Sequence, residues 1–325
     1  MSDARAPADG RELGKRLRDR DLTAAPAALN LIESRSPQAL RQAEALLAET
    51  SPAALGREAP AHIIGVTGPP GVGKSSLLSQ LVKHWRSEQR SVAVLAVDPS
   101  SRRSGGSLLG DRARIEIDPR DRAVFIRSTA AGTRLGGLAP ATRAASEALA
   151  AAFDVVVIET VGVGQSETEV AEAADTVAVV LQPASGDVLQ FLKAGIMEIP
   201  DVLVLTKTDL GAAATRAMSD LQAALLALGA ADTDVCTVSS VPPPQGIAEL
   251  ARALEAHRAR IDLAKRRQHA RRRHALESFT VEHGERGLRA LGGRLQAERW
   301  LGDQDPDVPV PELERALAER AERRA

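Results

Sequence analysis

The sequence predicts an α/β fold: a mainly parallel, doubly wound sheet flanked by helical N- and C-terminal extensions. Three observations predict it. Val- and Ile-rich runs recur along the chain without strict polar alternation, as strands do when a parallel sheet buries both of their faces. Helical patterns such as "KSSLLSQLVKHWRSE" and "ATRAASEALAAA" separate the runs, and alternating strand and helix signals build β-α-β units. A glycine-rich turn, "GPPGVGKSS", joins the first run to the first of these helices.

Taken in order, the chain before residue 60 is rich in Ala, Leu and Arg, with prolines at 7, 26, 37, 52 and 60. Prolines at that spacing punctuate short helices, so residues 1–58 read as a helical extension. A domain over 59–250 then carries the expected strands: "HIIGVTG" (62–68), "SVAVLAVD" (91–98), "AVFIRS" (123–128), "FDVVVIET" (153–160), "TVAVVLQP" (176–183), "DVLVLTKT" (201–208) and "DVCTVSS" (234–240). From about 248, "AELARALEAHRARIDLAKRRQHARRRHALESF" is one long helical pattern, followed by a Gly-Gly break at 292 and 293 and a last helix, "VPELERALAERAERR". Residues 251–325 thus form a second helical extension whose apolar stripe must pack on the core or on a second subunit. The basic run from Lys265 to Arg273 suits a solvated helix face or an acidic partner.

Composition narrows the function. The 325 residues are 44% hydrophobic, enough for a substantial core, and 42 basic against 43 acidic residues leave a net charge of -1. That total carries no nucleic-acid or anionic-membrane footprint. Aromatics at 2%, with no Tyr, give little platform for stacked bases. Cys236 is the one cysteine, so neither an internal disulfide nor a cysteine-built zinc site is expected. No apolar run approaches the ~20 residues of a membrane span, and the first residues lack the apolar segment of a secretory signal. The expected setting is cytoplasmic, without nucleic-acid or membrane partners.

"GPPGVGKS", Gly68 to Ser75, matches G-x-x-x-x-G-K-S directly after a strand and before a helix, the context of the phosphate-binding loop of P-loop NTPases. Gly68, Gly71, Val72, Gly73 and Ser76 would turn backbone N–H groups around a β-phosphate at a helix N-terminus. Lys74 would reach the β/γ oxygens as a catalytic cation, and Ser75 would offer its hydroxyl to Mg²⁺. Three acids stand nearby in the expected topology. Asp98 closes the second strand, Asp111 follows in a Gly- and Ser-rich loop, and Glu159 closes the fourth strand. At the ligand-facing edge of the sheet such carboxylates can hold Mg²⁺ or its waters. An Asp before Pro also forms turns, and an Asp in a glycine-rich loop also caps helices. Gly162 stands where an N–H would meet a γ-phosphate, and Gln165 either orients the attacking water or is an ordinary surface residue.

Base choice is written in "LVLTKTDL". Guanine presents N1–H and its 2-amino group together, and the carboxylate of Asp209 can accept both; adenine would leave that carboxylate facing a lone pair. Lys207 would lie along the base. Thr206 stands where Asn-Lys-x-Asp motifs have Asn, at a cost of about 1 kcal/mol for one neutral hydrogen bond. Ser239, in "VSSVPPPQGI", stands at the start of what resembles a guanine-supporting S-A-K loop. GTP and GDP with Mg²⁺ are therefore the expected ligands.

Together, "GVTGPPGVGKSSLLSQL", "VLAVDPSSRRSGGSLLGDRARI", "STAAGTRLGGLAPAT", "VVVIETVGVGQSE" and "QPASGDVLQFLKAGIMEIPDVLVLTKTDL" resemble the methylmalonyl-CoA mutase-associated G-protein chaperone family (MeaB/ArgK type) over about residues 28–250. The resemblance implies a homodimeric GTPase that gates loading and protection of adenosylcobalamin in an acyl-CoA mutase of the methylmalonyl-CoA type. It implies an Mg²⁺ neighbourhood of Ser75, Asp98, Asp111 and Glu159, and switch segments at 98–114, at 159–169 and around Asp187 and Lys193. No arginine finger is evident: Arg112, Arg114, Arg134 or the partner would complete the site, leaving the isolated enzyme slow. The alternative reading is a nickel-delivering metallochaperone GTPase, which needs His or Cys at ligand spacing; the six His are scattered.

Overall fold

The computed structural model describes residues 9–98, 115–130, 140–160, 166–183 and 200–324. They fall in two compact units, one of Ala61–Ser146 with Phe153–Ile261, the other of Met1–Pro60, Glu147–Ala152 and Asp262–Ala325. Helices numbered along the chain are α1 (Gly10–Arg18), α2 (Ala25–Glu33), α3 (Pro37–Glu49), α4 (Pro52–Leu55), α5 (Lys74–Ser87), α6 (Pro140–Ala150), α7 (Ser166–Ala173), α8 (Ala212–Ala227), α9 (Ile247–Arg260), α10 (Leu263–Ala290), α11 (Arg294–Gly302) and α12 (Val310–Glu322).

The first unit holds a seven-stranded sheet: β1 (His62–Thr67), β2 (Val92–Asp98), β3 (Val124–Ala130), β4 (Val155–Glu159), β5 (Thr176–Leu181), β6 (Val202–Leu205) and β7 (Asp234–Thr237). Their order is β3-β2-β4-β1-β5-β6-β7, and every pairing is parallel. Each apolar run in the sequence has become a strand, and β1, β4, β5 and β6 are buried along their whole length. Both faces are covered, which is why the runs do not alternate. On one face Ile64, Val66, Val157 and Val180 pack with Leu77, Leu81 and Trp85 of α5 and with Leu250 and Leu254 of α9. On the other, a Cβ at Gly65 would lie 2.8 Å from Val170 on α7. That lack of a side chain lets α7 lie close against β1.

In the second unit the prolines act as read: Pro26, Pro37 and Pro52 occupy the first turns of α2, α3 and α4, where a missing N–H costs nothing. Ser36 and Ser51 cap the latter two helices. The helical pattern read as continuous from 248 is interrupted at Asp262, whose carboxylate accepts the N–H of Lys265 at 3.0 Å and starts α10 afresh. Gly292 and Gly293, at φ 89° and 92°, turn the chain from α10 into α11. Leu276, Phe279, Leu291, Leu301, Leu313 and Leu317 form the core shared by α10, α11 and α12. The buried Arg271 holds both carboxylate oxygens of Glu58, at 3.0 and 2.8 Å, and the carbonyl of Pro306. Among the described residues no helix is long and apolar enough to cross a membrane.

Candidate functional site

The site forms at the C-terminal ends of β1, β4, β5 and β6, around the turn Gly68–Gly73 between β1 and α5. Gly68 has φ 145°, and a Cβ there would sit 2.2 Å from the carbonyl oxygen of Val180 on β5. Only glycine lets the backbone pass so close to the neighbouring strand. Gly73, at φ 98°, precedes α5, whose first residue, Lys74, is 8% exposed. The Lys74 ammonium donates to the carbonyls of Gly68 at 2.6 Å and Pro69 at 3.1 Å. Ser76 follows on α5 at the solvent-exposed surface.

Glu159 ends β4 opposite Val66 of β1 and Ala96 of β2, and it is buried. The Ser75 hydroxyl donates to its Oε1 at 3.2 Å. Parallel register thus brings together two hard oxygen donors that lie 84 positions apart in the chain. The next residue, Thr160, donates its N–H to the Val66 carbonyl at 3.0 Å and its hydroxyl to Thr67 at 2.8 Å, clamping β4 to β1 beyond the strand end. Asp98 is the last residue of β2, two positions beyond the register partner of Glu159; only its backbone is described. Asp111, Gly162 and Gln165 lie outside the described residues, as do Arg112, Arg114, Arg134, Asp187 and Lys193.

The segment that the sequence predicts to read the base follows β6. Thr206, buried, directs its hydroxyl at the carbonyls of Val72 (2.7 Å) and Leu181 (2.9 Å). Lys207 adopts φ 55° and donates through Nζ to the Gly71 carbonyl at 2.9 Å and to Oε1 of Gln182. Asp209 is exposed, and its Oδ1 accepts the Ser239 hydroxyl at 2.8 Å. Ser239 is itself fixed by a backbone bridge to Gln245. Two neighbouring residues of β6's end therefore hold two neighbouring carbonyls of the phosphate loop. In a trans peptide the N–H points opposite to the C=O, so the amides of Val72 and Gly73 face away from this segment. Gln182, Thr67 and Thr160 were not singled out by sequence reasoning. They match no motif, and a partner 25 positions away for Gln182 leaves no local signal.

The arrangement offers a backbone nest, a buried ammonium, a hydroxyl beside a carboxylate, and an exposed carboxylate held in one orientation. Among the described residues no three His, Cys, Asp or Glu side chains group to hold a metal unaided. The oxygen chemistry of Ser75 and Glu159 suits Mg²⁺, which keeps its waters and takes most other ligands from substrate phosphates.

Residues 25–287 match the family described as methylmalonyl Co-A mutase-associated GTPase MeaB. A Pyrococcus abyssi protein named as a GTPase is 41% identical over 251 residues, 75% of each chain. The mitochondrial methylmalonic aciduria type A homolog of Caenorhabditis elegans is 40% identical over 209 residues, 61% of this chain and 52% of that one. Among solved structures, the LAO/AO transport system kinase shares 28% identity with a TM-score of 0.65 over 98% of both chains. HypB of Helicobacter pylori in complex with nickel shares 18% identity with a TM-score of 0.50, over 67% of this chain and 95% of that one, a likeness of fold alone.

Proposed function

The chain belongs to the family of methylmalonyl-CoA mutase-associated GTPases, and on that premise we propose that its GTP cycle gates adenosylcobalamin loading into, and protects, an acyl-CoA mutase of the methylmalonyl-CoA type. The chain binds guanine nucleotide and hydrolyses GTP. The observation that carries our assignment of the nucleotide is the double tie from Thr206 and Lys207 to the carbonyls of Val72 and Gly71, with Asp209 held beside it by Ser239.

In this reading Asp209 accepts the guanine N1–H and 2-amino protons, Lys207 lies along the base, and Ser239 fixes the carboxylate. Gly68, Gly71, Val72, Gly73, Lys74, Ser75 and Ser76 take the phosphates. Lys74 exchanges its two carbonyl partners for phosphate oxygens, so the ammonium travels no farther than its own loop. Ser75 and Glu159, with Asp98 and Asp111, would hold Mg²⁺, which neutralises charge on the phosphates when bound. Gly162 would sense the γ-phosphate and Gln165 would orient water. Ordering of the segments that follow β2, β4 and β5 would then bias a partner that binds one nucleotide state better. Residues 251–325 would supply a dimerisation arm for a cytoplasmic homodimer without nucleic-acid or membrane partners.

Nickel delivery has less support from the side chains. His62 and His257 are engaged with Thr176, Glu255 and Asp201, and His84 lies 3.4 Å from Glu88 one turn along its own helix. The test is GTP hydrolysis by the purified chain with and without an adenosylcobalamin-dependent acyl-CoA mutase, together with co-elution of the two in GDP and in a non-hydrolysable GTP analogue. Nucleotide-dependent co-elution and faster hydrolysis are expected. Neither effect with the mutase, but stimulation by a nickel-enzyme precursor, would overturn the reading.

A further inference from the structure

The basic run Lys265–Arg273 has no part in the nucleotide site, yet the fold gives one side of it a cleft. His269, Arg272, Arg273 and Leu276 recur at i, i+3, i+4 and i+7, so they share one face of α10. Arg294, Glu298 and Leu301 share the facing side of α11 at i, i+4 and i+7. Together with Gly302 they line a cleft of about 490 Å³, within the ~300–1,000 Å³ range of small-molecule sites. Leu276 and Leu301 are each 1% exposed and belong to the apolar core beneath it. An apolar wall of this kind strengthens charge interactions at its mouth.

The lining side chains bring three guanidiniums and one imidazole against a single carboxylate, Glu298. Arg272 is set in place by the chain itself: its NH2 donates to the carbonyls of Gly302 and Gln304, each at 2.9 Å. Burial first, and Arg271 close by second, push the Arg272 guanidinium below its ordinary value, while Asp303 acts the other way. Arg294 and Arg273 reach Glu298 and Glu277 across one helical turn, at 3.0 and 3.3 Å, in half-exposed pairs. Pairs of that kind hold their geometry only weakly. A phosphoryl group, with up to two negative charges and three acceptor oxygens, competes well for such guanidiniums because two parallel N–H donors match it.

We infer that the cleft between α10 and α11 binds a phosphate-bearing ligand through Arg272, Arg273 and Arg294. The cleft shares no residue with the nucleotide site, and the inference does not rest on the function proposed above.

The experiment is calorimetric titration of the full chain with sodium pyrophosphate, after saturation with GDP and Mg²⁺ so that the phosphate loop is already filled. Binding is expected, weakened at least tenfold in the double variant Arg273→Ser/Arg294→Ser and weakened again by added NaCl. The variant should keep its GDP affinity and melting temperature, because the pairs Arg273–Glu277 and Arg294–Glu298 are half exposed. Coenzyme A competing with pyrophosphate would assign the site to a soluble phosphate ester; phosphatidylglycerol vesicles competing instead would assign it to a lipid headgroup. Absence of heat in the GDP-loaded protein, or equal affinity in the double variant, would overturn the inference.

Discussion

Replacing Thr206 with Val isolates the bond that stands where other guanine-reading motifs use Asn. The branched shape stays and one hydroxyl is lost. Of its two acceptors, the Leu181 carbonyl keeps the Thr206 N–H as donor at 2.9 Å, whereas the Val72 carbonyl loses the hydroxyl at 2.7 Å. The loss therefore falls on the phosphate loop. An orphaned buried acceptor costs about 1–3 kcal/mol, and each kcal/mol lowers the melting temperature of a domain this large by about 2–4 °C. A drop of roughly 2–12 °C is expected on those figures. GDP affinity should fall too, by about tenfold for each 1.4 kcal/mol that binding must restore in the loop. Thermal melting and displacement of a fluorescent GDP analogue read the two effects. Thr206→Ser keeps the hydroxyl and should bind GDP within about twofold of the parent, since 0.4 kcal/mol is about a factor of two. A Val variant with unchanged melting and GDP affinity, or a Ser variant as impaired as Val, would refute the reasoning.

Asp209→Asn should weaken GTP at least about 100-fold and move preference toward xanthosine triphosphate, because an amide cannot accept both guanine donors; competition binding of the two nucleotides checks it. Gly10→Ala should destabilise the helical unit by about 1–3 kcal/mol through overpacking, since the new Cβ would lie 1.8 Å from the Gln42 carbonyl oxygen; chemical denaturation of the variant reads the loss. Stability should fall on acidification through His62. Its Nε2 lies 2.8 Å from the Thr176 hydroxyl and its Nδ1 3.5 Å from the Glu255 carboxylate, and the desolvation of the buried ring outweighs that carboxylate. Burial lowers His62 below its ordinary value, so as pH falls through about 6.5 the unfolded chain takes up the proton first and stability drops. The melting temperature should decrease from pH 7.5 to 5.5, and less steeply in His62→Asn; equal slopes would contradict the assignment.

The strands were legible because burial on both faces writes itself into composition: a run such as "DVVVIE" has no other economical reading. Their order was not, since nothing in β4 says that it inserts between β1 and β2. The phosphate loop was legible because Gly68, Gly73, Lys74 and Ser75 stand at a fixed spacing within eight consecutive residues, between a strand run and a helix pattern. The bond from Lys207 to Gln182 and the clamp between Thr67 and Thr160 were invisible, because each joins residues that only the register brings together. Asp262 shows a middle case. An Asp three residues before Lys265 is a readable cap, but the helical periodicity on either side of it masked the break. That Glu58 would meet Arg271 across 213 positions had no trace in either segment.

The ties of Thr206 and Lys207 bear on how one ligand is read at two ends. The carboxylate proposed to read the base, Asp209, and the amides proposed to bind phosphate belong to different β-α connections, so each could hold a nucleotide independently. Here the backbone of Gly71 and Val72 is fixed from outside by the two residues that lead into Asp209. Any shift of Asp209 away from the base therefore strains the segment that orients the Val72 and Gly73 amides. On the proposed site roles, guanine recognition and phosphate binding would become one cooperative event, worth more than two separate contacts because the ordering cost is met once. Gln182 extends the same frame: it follows β5, directly ahead of the segment at 184–199, and accepts from the same Lys207 ammonium. A change in the position of that ammonium is thus felt at the base, at the phosphate loop and at the end of β5 together.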